Sequence, residues 1–158
     1  MVVPSHWPTL CILLRTTADG RTMDTGAPLR ILLIEDSALL AARLTELLRH
    51  VPGVDVIGTL DNEAGALDCM ASEDPDVVIL DLHLRTGSGF GVLRNLHSSG
   101  RPKVIVLTNF DLPAYRREAE FLGADAFLDK ARDYSRLPAL LTDMARHRPI
   151  GGAGERHR

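Results

Sequence analysis

The sequence predicts an α/β protein: a five-stranded parallel sheet covered by helices on both faces, a three-layer sandwich. Three observations lead there. The stretch Val77-Val78-Ile79-Leu80 is uniformly apolar, with three of its four residues β-branched, as in strands buried on both faces of a parallel sheet. Runs of the same kind stand at Leu29-Arg30-Ile31-Leu32-Leu33-Ile34 and Lys103-Val104-Ile105-Val106-Leu107-Thr108. Between such runs lie stripes of helical period, and strand–helix alternation implies right-handed βαβ units.

Composition permits this and narrows the function. A chain of 158 residues, 45% hydrophobic and 25% charged, is enough for one globular domain with a full core. A net charge of −3 gives no bulk attraction to nucleic acid. The run Leu10–Leu14 is too short to span a bilayer, and no Lys or Arg precedes it as a signal peptide would require. Cys11 and Cys69 are far apart and have no metal-site spacing, so reduced thiols are expected. A soluble cytoplasmic protein follows as the expectation, with no direct nucleic-acid or membrane contact.

Residues 1–27 carry Pro4, Pro8, Gly20 and Gly26 outside the alternating pattern, and read as a flexible extension. The regular pattern occupies residues 28–147. After the first strand Ser37 can cap a helix from Ala38 to His50, with leucines at 40, 44, 47 and 48, stopped by Pro52-Gly53. Val54–Leu60 is a short β-rich run. Asn62 can cap a helix from Glu63 to about Ser72, ended by Asp74-Pro75. After the central strand comes a Gly/Ser-rich loop, His83–Ser88, then a helix from Phe90 to about Ser98 that Gly100 ends. Asp111 is the expected cap of a helix opened by Pro113 and running to Leu122, with Gly123 as its stop. Ala126-Phe127-Leu128 is a brief strand before Asp129-Lys130. Ser135 is the expected cap of a last helix reaching His147, which puts Pro138 in the first turn. Residues 148–158 are Gly-rich and polar, the composition of a disordered tail.

The ends of the strands carry the chemistry. Glu35-Asp36 follow the first, Asp81 the third, Thr108 closes the fourth, and Lys130 follows the fifth. In an open α/β sheet ligands bind outside the carboxyl ends of the strands. Three carboxylates on one edge repel each other unless a cation neutralises them. Oxygen ligands select Mg²⁺, Mn²⁺ or Ca²⁺, with Mg²⁺ favoured beside a phosphate. A hydroxyl and an ammonium nearby suit the remaining oxygens of a phosphoryl group. Each residue also has an ordinary explanation. Asp81 can simply end a strand, Glu35 and Asp36 can serve the dipole of the following helix, Lys130 can be a solvated loop lysine, Thr108 a strand residue and Phe127 core.

Taken together, in order, these pieces resemble the receiver domain of bacterial two-component response regulators. The matching segments are Leu33-Ile34-Glu35-Asp36-Ser37, Val78-Ile79-Leu80-Asp81-Leu82 with Gly87-Ser88-Gly89 behind it, Val106-Leu107-Thr108, and Gly123 to Lys130. The resemblance covers about residues 28 to 146 and implies a doubly wound, flavodoxin-like sheet of order 2-1-3-4-5. It also implies that Asp81 accepts a phosphoryl group from a sensor histidine kinase or histidine phosphotransfer protein. Asp36 and Asp81 would bind Mg²⁺ (Mn²⁺ as an alternative) directly, Glu35 through water, and His83 through its backbone carbonyl rather than its ring. Lys130 would pair with the phosphoryl group and Asp81, Thr108 would bond a phosphoryl oxygen, and Phe127 would be the rotating aromatic of a switch. Such a protein is a self-phosphorylating acceptor with slow autodephosphorylation, not a turnover enzyme. With only a short tail after the last helix and no DNA-binding output domain expected, the signal would pass to a protein partner or a second copy. The surface expected for that is the Asp111–Leu122 helix, the Phe127 strand and the last helix.

Three positions depart from the family pattern. Ala131 stands where proline often follows the lysine, which leaves the usual cis-peptide loop in question. Arg85 occupies another common proline position. Asn109 follows Thr108 where a smaller residue is commoner, and should narrow access to the phosphoryl site. Other readings fit less well. An acid-nucleophile phosphatase usually has a second Asp two residues after its nucleophile, where His83 stands; nucleotide-binding glycine motifs are absent from the sequence. A docking-only relative would not need the intact acids and lysine.

Overall fold

The computed structural model describes residues 26–96 and 102–148. Along the chain run β1 (Leu29–Ile34), α1 (Ala38–Arg49), β2 (Val54–Leu60), α2 (Glu63–Glu73), β3 (Val77–Leu80), α3 (Gly89–Asn95), β4 (Lys103–Thr108), α4 (Pro113–Phe121), β5 (Ala126–Asp129), a 3₁₀ turn at Tyr134–Arg136 and α5 (Leu137–Arg146). All pairings are parallel and the strand order is β2-β1-β3-β4-β5. The expected fold is the observed one. The Leu10–Leu14 run, Cys11, the proposed helix end near Ser98 and Gly100, and the tail beyond Arg148 lie outside the described residues.

Side-chain alternation in the inner strands builds two cores. Ile31, Leu33, Ile79, Ile105 and Leu107 face α1 and α5, meeting Leu44, Leu48, Leu137 and Leu141. Leu32, Ile34, Val78, Leu80, Val104 and Val106 face α2, α3 and α4, meeting Ala66, Val92, Leu93 and Ala119. This is why β1, β3 and β4 are almost wholly buried, whereas β2, at the sheet edge, is half-buried with Asp55 and Thr59 exposed. Where β1 passes from Ile31 to Leu32 its register on β2 skips one residue, from Val56 to Gly58.

The caps separate sound local signals from misread ones. Ser37, Asn62 and Ser88 accept from the backbone N–H groups of Leu40, Gly65 and Gly91 as N-cap side chains do. Asp111 does not cap α4: Leu112 is the cap residue, and the Asp111 carboxylate instead takes the guanidinium groups of Arg116 and Arg132. Two arginines compete for the acid more strongly than a helix N–H. Ser135 does not cap α5 either. The 3₁₀ turn occupies Tyr134–Arg136 and Pro138 stands in the first turn of α5, so the helix begins without a side-chain cap. Helix α4 ends at Phe121, one residue short of expectation.

Candidate functional site

The sheet order brings the carboxyl ends of β1 and β3 side by side, with β4 next and β5 beyond. Glu35 and Asp36 leave β1, and the Asp81 N–H donates to the Ile34 carbonyl at 2.9 Å, so the acids of the two strands are held together by sheet hydrogen bonding. Glu35, Asp36 and Asp81 each offer an oxygen within 4.8 Å of the others. Glu35 and Asp81 are buried and Asp36 is half-buried.

Lys130 crosses to them from the end of β5. Its backbone N–H donates to the Thr108 carbonyl at 3.0 Å, and its Nζ lies 2.7 Å from Asp81 Oδ2 and 2.7 Å from Glu35 Oε2. The side chain is only 8% exposed, so this is no solvated loop lysine. Burial pulls the Lys130 ammonium toward deprotonation, but hydrogen bonds to Asp81 and Glu35 outweigh it and hold the group above its ordinary range. For Glu35 the balance is opposite. Burial lifts its carboxyl above the usual value despite Lys130 and the Ser37 N–H, which donates to Oε1 at 3.0 Å. Asp36 is lowered: burial acts against the charged form, yet hydrogen bonding with Glu35 and the His83 ring prevails.

Two loops complete the edge. Thr108 is fully buried, and its Oγ1 accepts the Phe110 N–H at 3.3 Å. Glu35, Asp36, Asp81, His83, Asn109, Phe110 and Lys130 line a common open cleft, whereas Thr108 is not among its lining residues. A Cβ on Gly89 would overlap the Asp81 carbonyl oxygen, so only glycine fits there. The loop after Lys130 resolves the question posed by Ala131. Among the described residues no peptide is cis, and Asp129 Oδ1 accepts N–H groups from Ala131 and Arg132 at 2.9 Å each. Proline at 131 could not make the first of these bonds.

These atoms leave three carboxylates facing one ammonium, all with hard oxygen donors. That donor set fits a divalent cation of the Mg²⁺ or Mn²⁺ class. The response regulator receiver domain profile matches residues 31–142 of the chain. The chain belongs to that family. Among relatives of the receiver, a protein-glutamate methylesterase/protein-glutamine glutaminase of Koribacter versatilis is 35% identical over 70% of this chain and 31% of its own. The transcriptional regulatory protein PdtaR of Mycobacterium tuberculosis is 30% identical over 80% of this chain and 62% of its own. The chain thus spans under two thirds of either protein. Among solved structures, the signal receiver domain of NarL from M. tuberculosis is similar with TM-score 0.70 and 27% identity, covering 78% of this chain and 100% of that one.

Sequence reasoning missed several residues of this receiver. Glu63 sends its carboxylate to the Ser88 N–H at 2.9 Å and packs where Cβ atoms on Gly87 or Gly91 would stand, fastening α2 to the start of α3. The glycines were a visible signal; their partner was not. Arg116 donates to the Phe127 carbonyl at 3.2 Å and lies 4.5 Å over the Phe127 ring centroid. Phe127 itself is buried. The His83 ring, expected to be idle, places Nδ1 3.3 Å from Asp36 Oδ2.

Proposed function

We propose that residues 28–147 form a phosphoryl-accepting switch in which Asp81 takes the phosphoryl group of a phosphohistidine on a sensor kinase or phosphotransfer protein in the cytoplasm. The observation that carries this reading is the buried Asp81 carboxylate, held by Lys130 at the centre of an acidic edge. An Asp81 oxygen forms the bond to phosphorus as the phosphorus–nitrogen bond of the donor breaks. The departing imidazole takes a proton from solvent, and the acyl phosphate remains until water hydrolyses it. The chain is read as an acceptor with slow self-dephosphorylation, not a turnover enzyme.

Asp36, Asp81, Glu35 and the His83 carbonyl would hold a Mg²⁺ or Mn²⁺ ion, which when bound supplies positive charge to the phosphoryl oxygens. Lys130 offers its ammonium to the same oxygens, and Thr108 its hydroxyl once the Phe110 contact is given up. Asn109 narrows the approach of water. The added group brings about −1.5 to −2 units of charge. A Thr108 shift toward it would loosen the β4–α4 loop and change the packing around Phe127, and with it the face made by α4, β5 and α5 that a partner protein or second copy reads.

The test is incubation with a small phosphodonor and Mg²⁺, followed by intact-mass measurement. Wild type should gain one phosphate that hydroxylamine removes, and Asp81→Asn should gain none. Equal labelling of the Asn variant would move the acceptor elsewhere.

A further inference from the structure

The ring of His83 sits in a position that the reading above gives no use. Its backbone is fixed: the N–H donates to Asp81 Oδ1 at 3.2 Å, and the residue pairs with Ser88 in an isolated antiparallel bridge. The ring then stands between two groups. On one side Nδ1 lies 3.3 Å from Asp36 Oδ2; on the other the ring meets Phe110 at 6.0 Å between centroids, tilted by 33°. Phe110 is in turn supported edge-on by Tyr115 at 6.3 Å, and Tyr115 by Phe90 at 5.6 Å. A side chain that is 68% exposed would ordinarily sample several rotamers; this one has a carboxylate at its Nδ1 edge and an aromatic ring beside it.

The ring nitrogen is not among the three donors that lie within 4.8 Å of one another. It reaches Asp36 alone, the least buried of the three acids and the one that Lys130 does not touch. With its proton on Nδ1, the imidazole donates to one Asp36 oxygen and fixes the plane of the carboxylate. We infer that His83 is a positioning residue for the cation: its ring, braced by Phe110, holds Asp36 in the orientation that binds the ion. This rests on the cation reading of the acidic edge, and it gives the side chain of His83 a role separate from that of its backbone carbonyl. It also ties the β4–α4 loop, through Phe110, to the metal carboxylate.

The experiment is Mn²⁺ affinity measured by the loss of the free-ion electron paramagnetic resonance signal, on the whole chain, with circular dichroism of each variant. His83→Leu should weaken binding by about tenfold, the lower end for loss of a group that orients a ligand, since the contact is exposed. His83→Asn puts an amide N–H near the position of Nδ1 and should restore most of it, whereas His83→Gln puts its amide near the position of Nε2 and should not. Phe110→Ala should weaken binding a few-fold. The double variant His83→Leu/Phe110→Ala should bind no worse than His83→Leu, because the brace acts only through the ring. If wild type takes up no Mn²⁺, the cation reading falls and this inference with it. If wild type binds and His83→Leu binds equally, or if Asn and Gln behave alike, the positioning role is wrong and the cation reading stands.

Discussion

At the amino-terminal edge of the sheet, charged groups come in matched sets. Asp76 accepts the Arg30 N–H at 2.8 Å and the Arg148 guanidinium at 2.9 Å, and Arg148 also donates to the carbonyls of Ala27 and Pro28 at 3.2 Å. Asp125 accepts the Val104 N–H at 2.8 Å and the Lys103 ammonium at 3.2 Å. Arg30 donates to the Glu73 carbonyl and pairs with its carboxylate. At the carboxyl-terminal edge Glu35, Asp36 and Asp81 crowd together, and Lys130 pairs with Glu35 and Asp81 but not with Asp36. The first edge uses charge to hold strand ends and the start of the chain's regular structure. The second holds more negative charge than the fold requires. Balanced charge is architecture, and the surplus marks the site.

The comparison predicts opposite responses to losing an acid. Asp76→Ala removes two charge-assisted bonds, each worth about 1.5 kcal/mol at the low end, so urea denaturation should show a loss of about 3 kcal/mol. Mg²⁺ should not restore it. A loss within 0.5 kcal/mol of zero would mean that the amino-terminal edge is not held by these pairs. The other edge should respond to cations. Mn²⁺ at a hundred times its dissociation constant should raise wild-type stability by about 2.7 kcal/mol, and EDTA should remove that gain without unfolding the protein. Asp36→Asn should largely lose the gain, while Asp76→Ala should keep it. A cation response equal in wild type and Asp36→Asn would place the ion elsewhere.

Most of the fold was legible because strand burial and helical period are local signals. The runs at Leu29–Ile34, Val77–Leu80 and Lys103–Thr108 can satisfy their side chains in few other ways. The strand-end acids were legible for a related reason: topology alone carries such residues to one edge. What escaped depends on side chains that meet only after folding. Asp111 looked like a helix cap until Arg116 and Arg132 were beside it. Nothing in the sequence near Glu63 announces that Gly87 and Gly91 clear space for it, nor that His83 lies against an acid 47 positions away. The loop at Ala131 stays open in the sequence because proline often stands there in the family, and only the fold shows Asp129 accepting the N–H groups of Ala131 and Arg132.

The smallest effect expected is also the sharpest discriminator between the two edges. Burial raises the Glu35 carboxyl above its ordinary value of 4.5, so the folded state binds its proton more readily than the unfolded chain does. Between the unfolded and folded values the native state therefore carries more protons, and stability falls as pH rises through that window. Above it the full penalty of a buried carboxylate remains. Glu35→Gln keeps the shape and an oxygen for Lys130 but removes the charge. At neutral pH without divalent cations it should be slightly more stable than wild type, and the advantage should shrink as pH falls toward 4.5 and the wild-type carboxyl takes its proton. Differential scanning calorimetry across pH 4 to 7 reads this directly, roughly bracketing the ordinary glutamate range. The corresponding variant at the other edge, Asp76→Asn, should be less stable than wild type at neutral pH. If Glu35→Gln is destabilised as Asp76→Asn is, then Glu35 belongs with the matched charges that hold the sheet, and the surplus at the site is smaller than its three carboxylates imply.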